Sequence, residues 1–246
     1  MKRNGLLYKL VMLLLILIIG FSLYKVGTIL YGYYQGQTQY EEVQELAGAT
    51  EEKKPEKKKE SPIDFKTLCK ENEDVKAWIY SKDTVINYPV VQGPDNDYYL
   101  YRMFNGEYNG AGSIFIDYRN EEPFESFNTV MHGHRMKDGT MFKSLMEYRD
   151  PDYYKAHKKM KLYTPDAQYD LVIFAAITIP SDSDMYQFYF YSDDDKEYYL
   201  NRIYGKTELY TDVEVTADDK IVMMSTCTFE FDDARFCVYG KLVEKE

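Results

Sequence analysis

Cysteine and histidine are both scarce, with three of each in 246 residues. Cys69, Cys227 and Cys237 are too few and too oddly numbered for a disulfide framework, so at least one thiol stays free. An excess of positive charge is missing as well. The 41 acidic and 30 basic residues leave a formal net charge of -11, which disfavours nucleic-acid backbones and anionic lipid as main partners and suits a neutral or cationic substrate. There is no internal repeat. Tyrosine, by contrast, is abundant at 26 residues, as expected where amphipathic rings fill the strand faces of a β-rich domain.

Leu10 to Tyr24 carry no side-chain charge apart from the flanking Lys9 and Lys25. Leu6 to Tyr8 and Val26 to Tyr34 extend this run far enough to cross about 30 Å of hydrocarbon as a helix. Lys2, Arg3 and Lys9 precede it, so the positive-inside rule predicts a cytoplasmic N-terminus and an outward-facing remainder. A cleaved signal peptide is the alternative, but no Ala-x-Ala-like site follows the run closely. Residues 1–34 therefore read as a cytoplasmic tip and signal-anchor, 35–60 as a charged linker, and 61–246 as one folded domain. The linker ends in alternating Glu and Lys around Pro55, a composition that cannot bury a core. An unpaired thiol exported on such a chain is open to oxidation, which favours a chemical use for it.

Ser61-Pro62 predicts a capped helix over 63–72. Strand character follows at 77–80, 85–91, 112–118, 128–133, 159–164, 169–179, 220–228 and 235–243, with helical spacing at 140–148, after Pro151 and at 194–204. Eight strands with few helices predict a mainly β fold: a closed or nearly closed barrel with peripheral helices, preceded by one transmembrane helix.

Cys227 ends the apolar strand Ile221 to Thr226, a rigid yet reachable place for a nucleophile. His132 and His134 lie together where the strand at 128–133 meets a polar turn, and a Cys and His pair can share the proton of an acyl transfer. Zinc would require three or four ligands, and no neighbouring motif completes such a set. Arg235 follows Cys227 after a loop that suits a hairpin, which would bring its guanidinium near the sulfur. A salt bridge to Glu230, Asp232 or Asp233 is the alternative use of that arginine.

Together the three patches resemble the sortases, class B in particular. Gly133-His134-Arg135-Met136-Lys137-Asp138-Gly139-Thr140-Met141-Phe142 resembles the segment with that family's catalytic histidine. Ser225-Thr226-Cys227 resembles the end of its Thr-Leu-x-Thr-Cys signature, although Met223 and Met224 stand in place of Thr and Leu. Arg235 with Val238-Tyr239-Gly240-Lys241-Leu242 resembles the strand with its arginine. The likeness spans about residues 61 to 243. It implies a sortase-type barrel in which Cys227, His134 and Arg235 are catalytic, Ser225 and Thr226 contact substrate, and no cofactor or metal is used. It further implies cleavage of a C-terminal sorting signal after Thr. Transfer of the secreted protein to an amine, from a peptidoglycan precursor or a pilin, then passes through a thioacyl intermediate. A cysteine peptidase using the same residues, and a surface binding module in which Cys227 is merely packed, are the rival readings. Cys237 stands as a second thiol near the site.

Overall fold

In a computed structural model, residues 4–49 and 61–245 are described. The chain divides into two compact units, Met1–Gln39 and Tyr40–Glu246. Helix α1 (Asn4–Leu46) fills the described part of the first and enters the second. From Leu7 onward it is long and apolar enough to cross a membrane. Leu13, Leu14, Ile16 and Ile18 are all exposed along it, as in a helix that is apolar on every side.

In the second unit, eight strands close into a barrel in the order β1-β2-β3-β4-β7-β8-β6-β5. These are β1 (Val75–Tyr80), β2 (Asn87–Val91), β3 (Ile114–Ile116), β4 (Asn128–His132), β5 (Lys159–Tyr163), β6 (Gln168–Pro180), β7 (Ile221–Cys227) and β8 (Ala234–Glu244). Each falls on a segment predicted from apolar patterning. The smaller elements are α2 (Phe65–Glu71), a 3₁₀ helix (Phe142–Arg149), α3 (Pro151–Ala156) and α4 (Asp193–Lys206). Helix α2 starts later than Ser61-Pro62 predicts. Asp64 caps it instead, accepting hydrogen bonds from the Thr67 amide at 3.0 Å and hydroxyl at 2.7 Å, because its carboxylate is at least as good a cap as a serine hydroxyl. The helix expected at 140–148 is a 3₁₀ helix.

Two of the neighbouring strand pairs are parallel, β2 with β3 and β4 with β7. The other six are antiparallel, including the β7–β8 hairpin. The core lies in two layers. Val222, Met224, Phe236 and Val238 belong to the larger cluster inside the barrel. Met223, Cys237 and Tyr239 alternate with them and pack outside the wall against Tyr199, Leu200 and Ile203 of α4, as the two-residue period of a strand requires. On β6 an irregularity between Ile173 and Ala175 switches the sides. Leu171 and Ile173 point into the larger cluster, whereas Ala175, Ile177 and Ile179 pack in the outer one. One extra residue in a strand has this effect.

The linker expected over 35–60 starts within α1. Tyr40, Val43 and Ala47 are buried in the barrel unit's core, and Gln44 donates from Nε2 to the Asn87 carbonyl at 2.8 Å. Its later part, 50–60, lies outside the described residues. Truncating Val43, which is 6% exposed, is therefore expected to destabilise the barrel unit. Val43→Ala should cost about 1–3 kcal/mol, read as a lower urea midpoint for the full-length chain in detergent. An unchanged midpoint would mean that 40–49 is a tether after all.

Candidate active site

Strands β4 and β7 run side by side in parallel, with His132 opposite Ser225, and the Gly133 amide donates to the Ser225 carbonyl at 3.1 Å. His134 and Cys227 each come two residues later, so both leave the sheet at one end. Across the β7–β8 hairpin, Cys227 is paired with Arg235. Residues directly opposite on antiparallel strands share a face, with Cβ atoms about 5 Å apart. Because Met223 and Cys237 face the outer cluster, alternation puts Ser225, Cys227 and Arg235 on the outer wall of the barrel. There an open groove of about 270 Å³ is bordered by His134, Cys227 and Arg235 together.

The histidine is held through backbone. Its Nε2 lies 2.6 Å from the Leu100 carbonyl, and a carbonyl only accepts, so Nε2 carries the proton and Nδ1 is left to take one up or give one away. Just before it, Gly133 leaves no room for a side chain, since a Cβ there would sit 2.5 Å from Ile114 Cδ1 and 2.6 Å from Phe142 Cδ2. The Phe142 amide closes the turn onto the His134 carbonyl at 3.0 Å. Arg235 is steadied by its own loop. Its Nη1 donates to the carbonyls of Asp233 at 3.2 Å and Ala234 at 3.1 Å, which leaves the other donors of the fork for a ligand. The acidic side chains of that loop make no salt bridge with it among the described residues; Glu230 pairs with Arg149 instead.

Ser225 and Thr226 border the groove, but each is only 2% exposed. Ser225 Oγ lies 2.7 Å from the Tyr186 hydroxyl. Thr226, opposite the inward-facing Phe236, turns its side chain into the barrel, and its Oγ1 has no partner. Thr226 thus borders the groove while strand alternation turns its hydroxyl inward. Cys237 is fully buried behind Ser225. Burial pushes its thiol up to about 12 despite hydrogen bonds with Ser225 and Tyr186, so it stays protonated at neutral pH. Cys69 is exposed on α2. His157 stacks on Tyr153 at the end of α3, and neither residue borders the groove.

His132 takes a supporting place. Its Nε2 donates to Asp117 Oδ2 at 2.9 Å, and its ring stacks on Tyr186 with centroids 5.9 Å apart. Asp117 has no exposed side-chain surface. It also accepts from Arg119 Nε and Nη2, both at 2.8 Å, and from Asn96 Nδ2 at 2.9 Å. Burial alone would raise this carboxyl, yet the hydrogen bonds from Arg119 and His132 outweigh it and hold the group well below the usual range. Neither Asp117 nor Tyr186 was evident from the sequence. Asp117 ends the predicted strand at 112–118 as one acid among many, and Tyr186 sits in a loop with no pattern of its own.

Residues 80–243 match the sortase domain family. The chain is 37% identical over 184 residues to sortase B of Listeria monocytogenes, covering 74% of this chain and 75% of that one. With sortase B of Staphylococcus aureus the identity is 34% over 182 residues, at 73% and 75% coverage. Among solved structures, a Staphylococcus aureus sortase B-substrate complex superposes with a TM-score of 0.78 at 31% identity, covering 87% of this chain and 98% of that one. Sortase B from B. anthracis gives 0.78 at 38% identity, with 88% and 100% coverage.

The Asp117 cluster makes acid stability a measurable property of the site. A carboxyl held low in the folded state adds stability that is complete above its unfolded value, about 3.9, and is lost as pH falls below it. Asp117→Asn is expected to cost about 3 kcal/mol at pH 7. In urea titrations its deficit against the parent chain should be constant above about pH 5 and shrink below about pH 4. A deficit independent of pH would contradict an ionised Asp117.

Proposed function

The chain belongs to the sortase family, class B, and on that premise we propose that Cys227, His134 and Arg235 are the catalytic residues of its transpeptidation. Sortases are cysteine transpeptidases that act in sorting proteins to the cell wall. The observation that carries the assignment is the meeting of these three side chains at one open groove. That a Staphylococcus aureus sortase B of the same fold is known as a substrate complex supports reading the groove as the substrate's place.

In the proposed cycle Cys227 sulfur, its proton passed to His134, attacks the carbonyl carbon that follows a threonine in a C-terminal sorting signal. The carbonyl electrons move onto oxygen, where free donors of the Arg235 fork meet the charge. As that charge collapses back, the C–N bond breaks and His134 Nδ1 protonates the leaving amine, so a thioester remains on Cys227. An acceptor amine then adds to the thioester carbonyl and gives its proton to His134. The C–S bond breaks, sulfur leaves as thiolate, and a new amide is made without net oxidation or reduction. Ser225, on the groove floor, supports the bound signal. The acceptor is an amine of a peptidoglycan precursor or, in a pilus-building variant, of a pilin lysine.

Helix α1 supports a membrane-anchored arrangement in which residues 1–34 form a cytoplasmic tip and the bilayer-spanning anchor, and the barrel works on the outer side on secreted proteins. The basic residues before the apolar run favour that orientation.

Full-length protein with a library of fluorogenic sorting peptides and an amine acceptor tests the reading. The expected product is the peptide joined to the amine, whereas release of free acid alone under abundant amine would favour a peptidase. Cys227→Ala is expected to lose about 10³-fold or more in turnover, while Cys69→Ala and Cys237→Ala keep it. Arg235→Ala should lower kcat by about 10²–10³-fold with little change in KM. Undiminished turnover in Cys227→Ala would end the proposal.

A further inference from the structure

The end of α1 reaches both loops that hold His134. Tyr40 is 5% exposed, and its hydroxyl donates to the Gly112 carbonyl at 2.5 Å. Gly112 is wedged against the backbone of the first loop. With φ at +56°, a Cβ there would lie 2.3 Å from the Leu100 carbonyl oxygen, the same oxygen that accepts from His134 Nε2 at 2.6 Å. On its other side the Tyr40 ring meets Tyr88 edge-on, with centroids 5.1 Å apart. The Tyr88 hydroxyl accepts from the Met141 amide at 3.2 Å, and Met141 pairs with Arg135, the residue after His134. A buried tyrosine thus supports the acceptor of the imidazole proton through one contact and the turn that carries the imidazole through another.

We infer that Tyr40 is a positioning residue for His134, fixing through Gly112 and Tyr88 the direction in which Nδ1 faces the groove. The inference rests on the reading of His134 as the group that protonates the leaving amine. Proton transfer of this kind depends steeply on geometry, and a displacement of about 1 Å costs on the order of 10²-fold in rate. Substrate capture does not use the imidazole in the same way, so the effect belongs to kcat and not to KM.

The test compares Tyr40→Phe, Tyr40→Leu, Val43→Ala and His134→Ala in the full-length chain, with a sorting peptide and an amine. Imidazole titration is followed by NMR in parallel, which three histidines keep tractable. Tyr40→Phe keeps the ring on Tyr88 and loses the hydroxyl, so kcat is expected to fall about tenfold at unchanged KM; Tyr40→Leu, losing both contacts, falls about 10²-fold. The His134 titration moves in both tyrosine variants. Val43→Ala weakens the same helix end while leaving both Tyr40 contacts in place, and it keeps kcat and the titration of the parent chain. Parent-like kcat and titration in folded Tyr40→Phe overturn the inference. So does a loss of kcat in Tyr40→Phe and Val43→Ala that merely follows the folded fraction, since packing then explains it. Full turnover in His134→Ala removes the acid role and the inference with it, an outcome recognisable because that variant alone lacks the His134 signal.

Discussion

The parallel pairing of β4 with β7 is the constraint on which the site depends. Hydrogen bonds along that ladder, ending with the Gly133 amide on the Ser225 carbonyl, bring His134 to the end of the sheet where Cys227 emerges. A short loop then returns the chain as β8, and cross-strand register puts Arg235 beside the sulfur. None of the three groups needs to find the others, because backbone hydrogen bonds have already set the spacing. A one-residue slip of β7 would turn Cys227 into the barrel and Thr226 outward, since every strand side chain changes face with register.

Around this ladder the polar groups fall into two kinds. His134, Cys227 and Arg235 at the groove are sparsely bonded, whereas Asp117 and Arg149 beside them are each bonded several times over. Asp117 binds Arg119, His132 and Asn96 at once, and Arg119 also lies over the Phe188 ring at 4.3 Å. On the other flank, Arg149 joins Glu230 and Glu208 while covering Phe236 at 4.5 Å. Hydrogen bonds from Thr228 and Arg149 hold Glu230 well below the ordinary carboxylate range against the opposing effect of burial. These pairs fasten the loop between Cys227 and Arg235 at its middle. Charges on the surface add little individually, but one tied to a loop's midpoint limits how far that loop's ends can move.

Much of the barrel was legible because strand patterning is local. Alternation and β-branched runs located all eight strands, and the hairpin between Cys227 and Arg235 followed from loop length. The likeness of three short motifs then supplied candidate site residues and a family. What stayed hidden depends on distant partners. Nothing in the segment 128–132 says that it lies parallel to 221–225, and the irregularity after Ile173 is invisible until β8 is laid beside it. Tyr186 matters only because Ser225 and His132 come to meet it. Tyr40, Val43 and Ala47 sit in a stretch whose surrounding polarity reads as linker, and only the fold reveals that all three are buried at the end of α1 and just past it. Thr226 shows the opposite limit: it adjoins Cys227 in sequence, yet strand geometry turns its hydroxyl inward.

The strand order carries a consequence for how the molecule comes into being. Strands β7 and β8 follow the other six strands in the chain, yet they insert between β4 and β6. Until they arrive, two inner strands have bare edges, the condition under which unfinished β proteins recruit neighbouring chains. Cys227 and Arg235 travel on that same hairpin, so the step that seals the wall also completes the groove. A half-made chain therefore has neither a closed barrel nor the groove that Cys227 and Arg235 border.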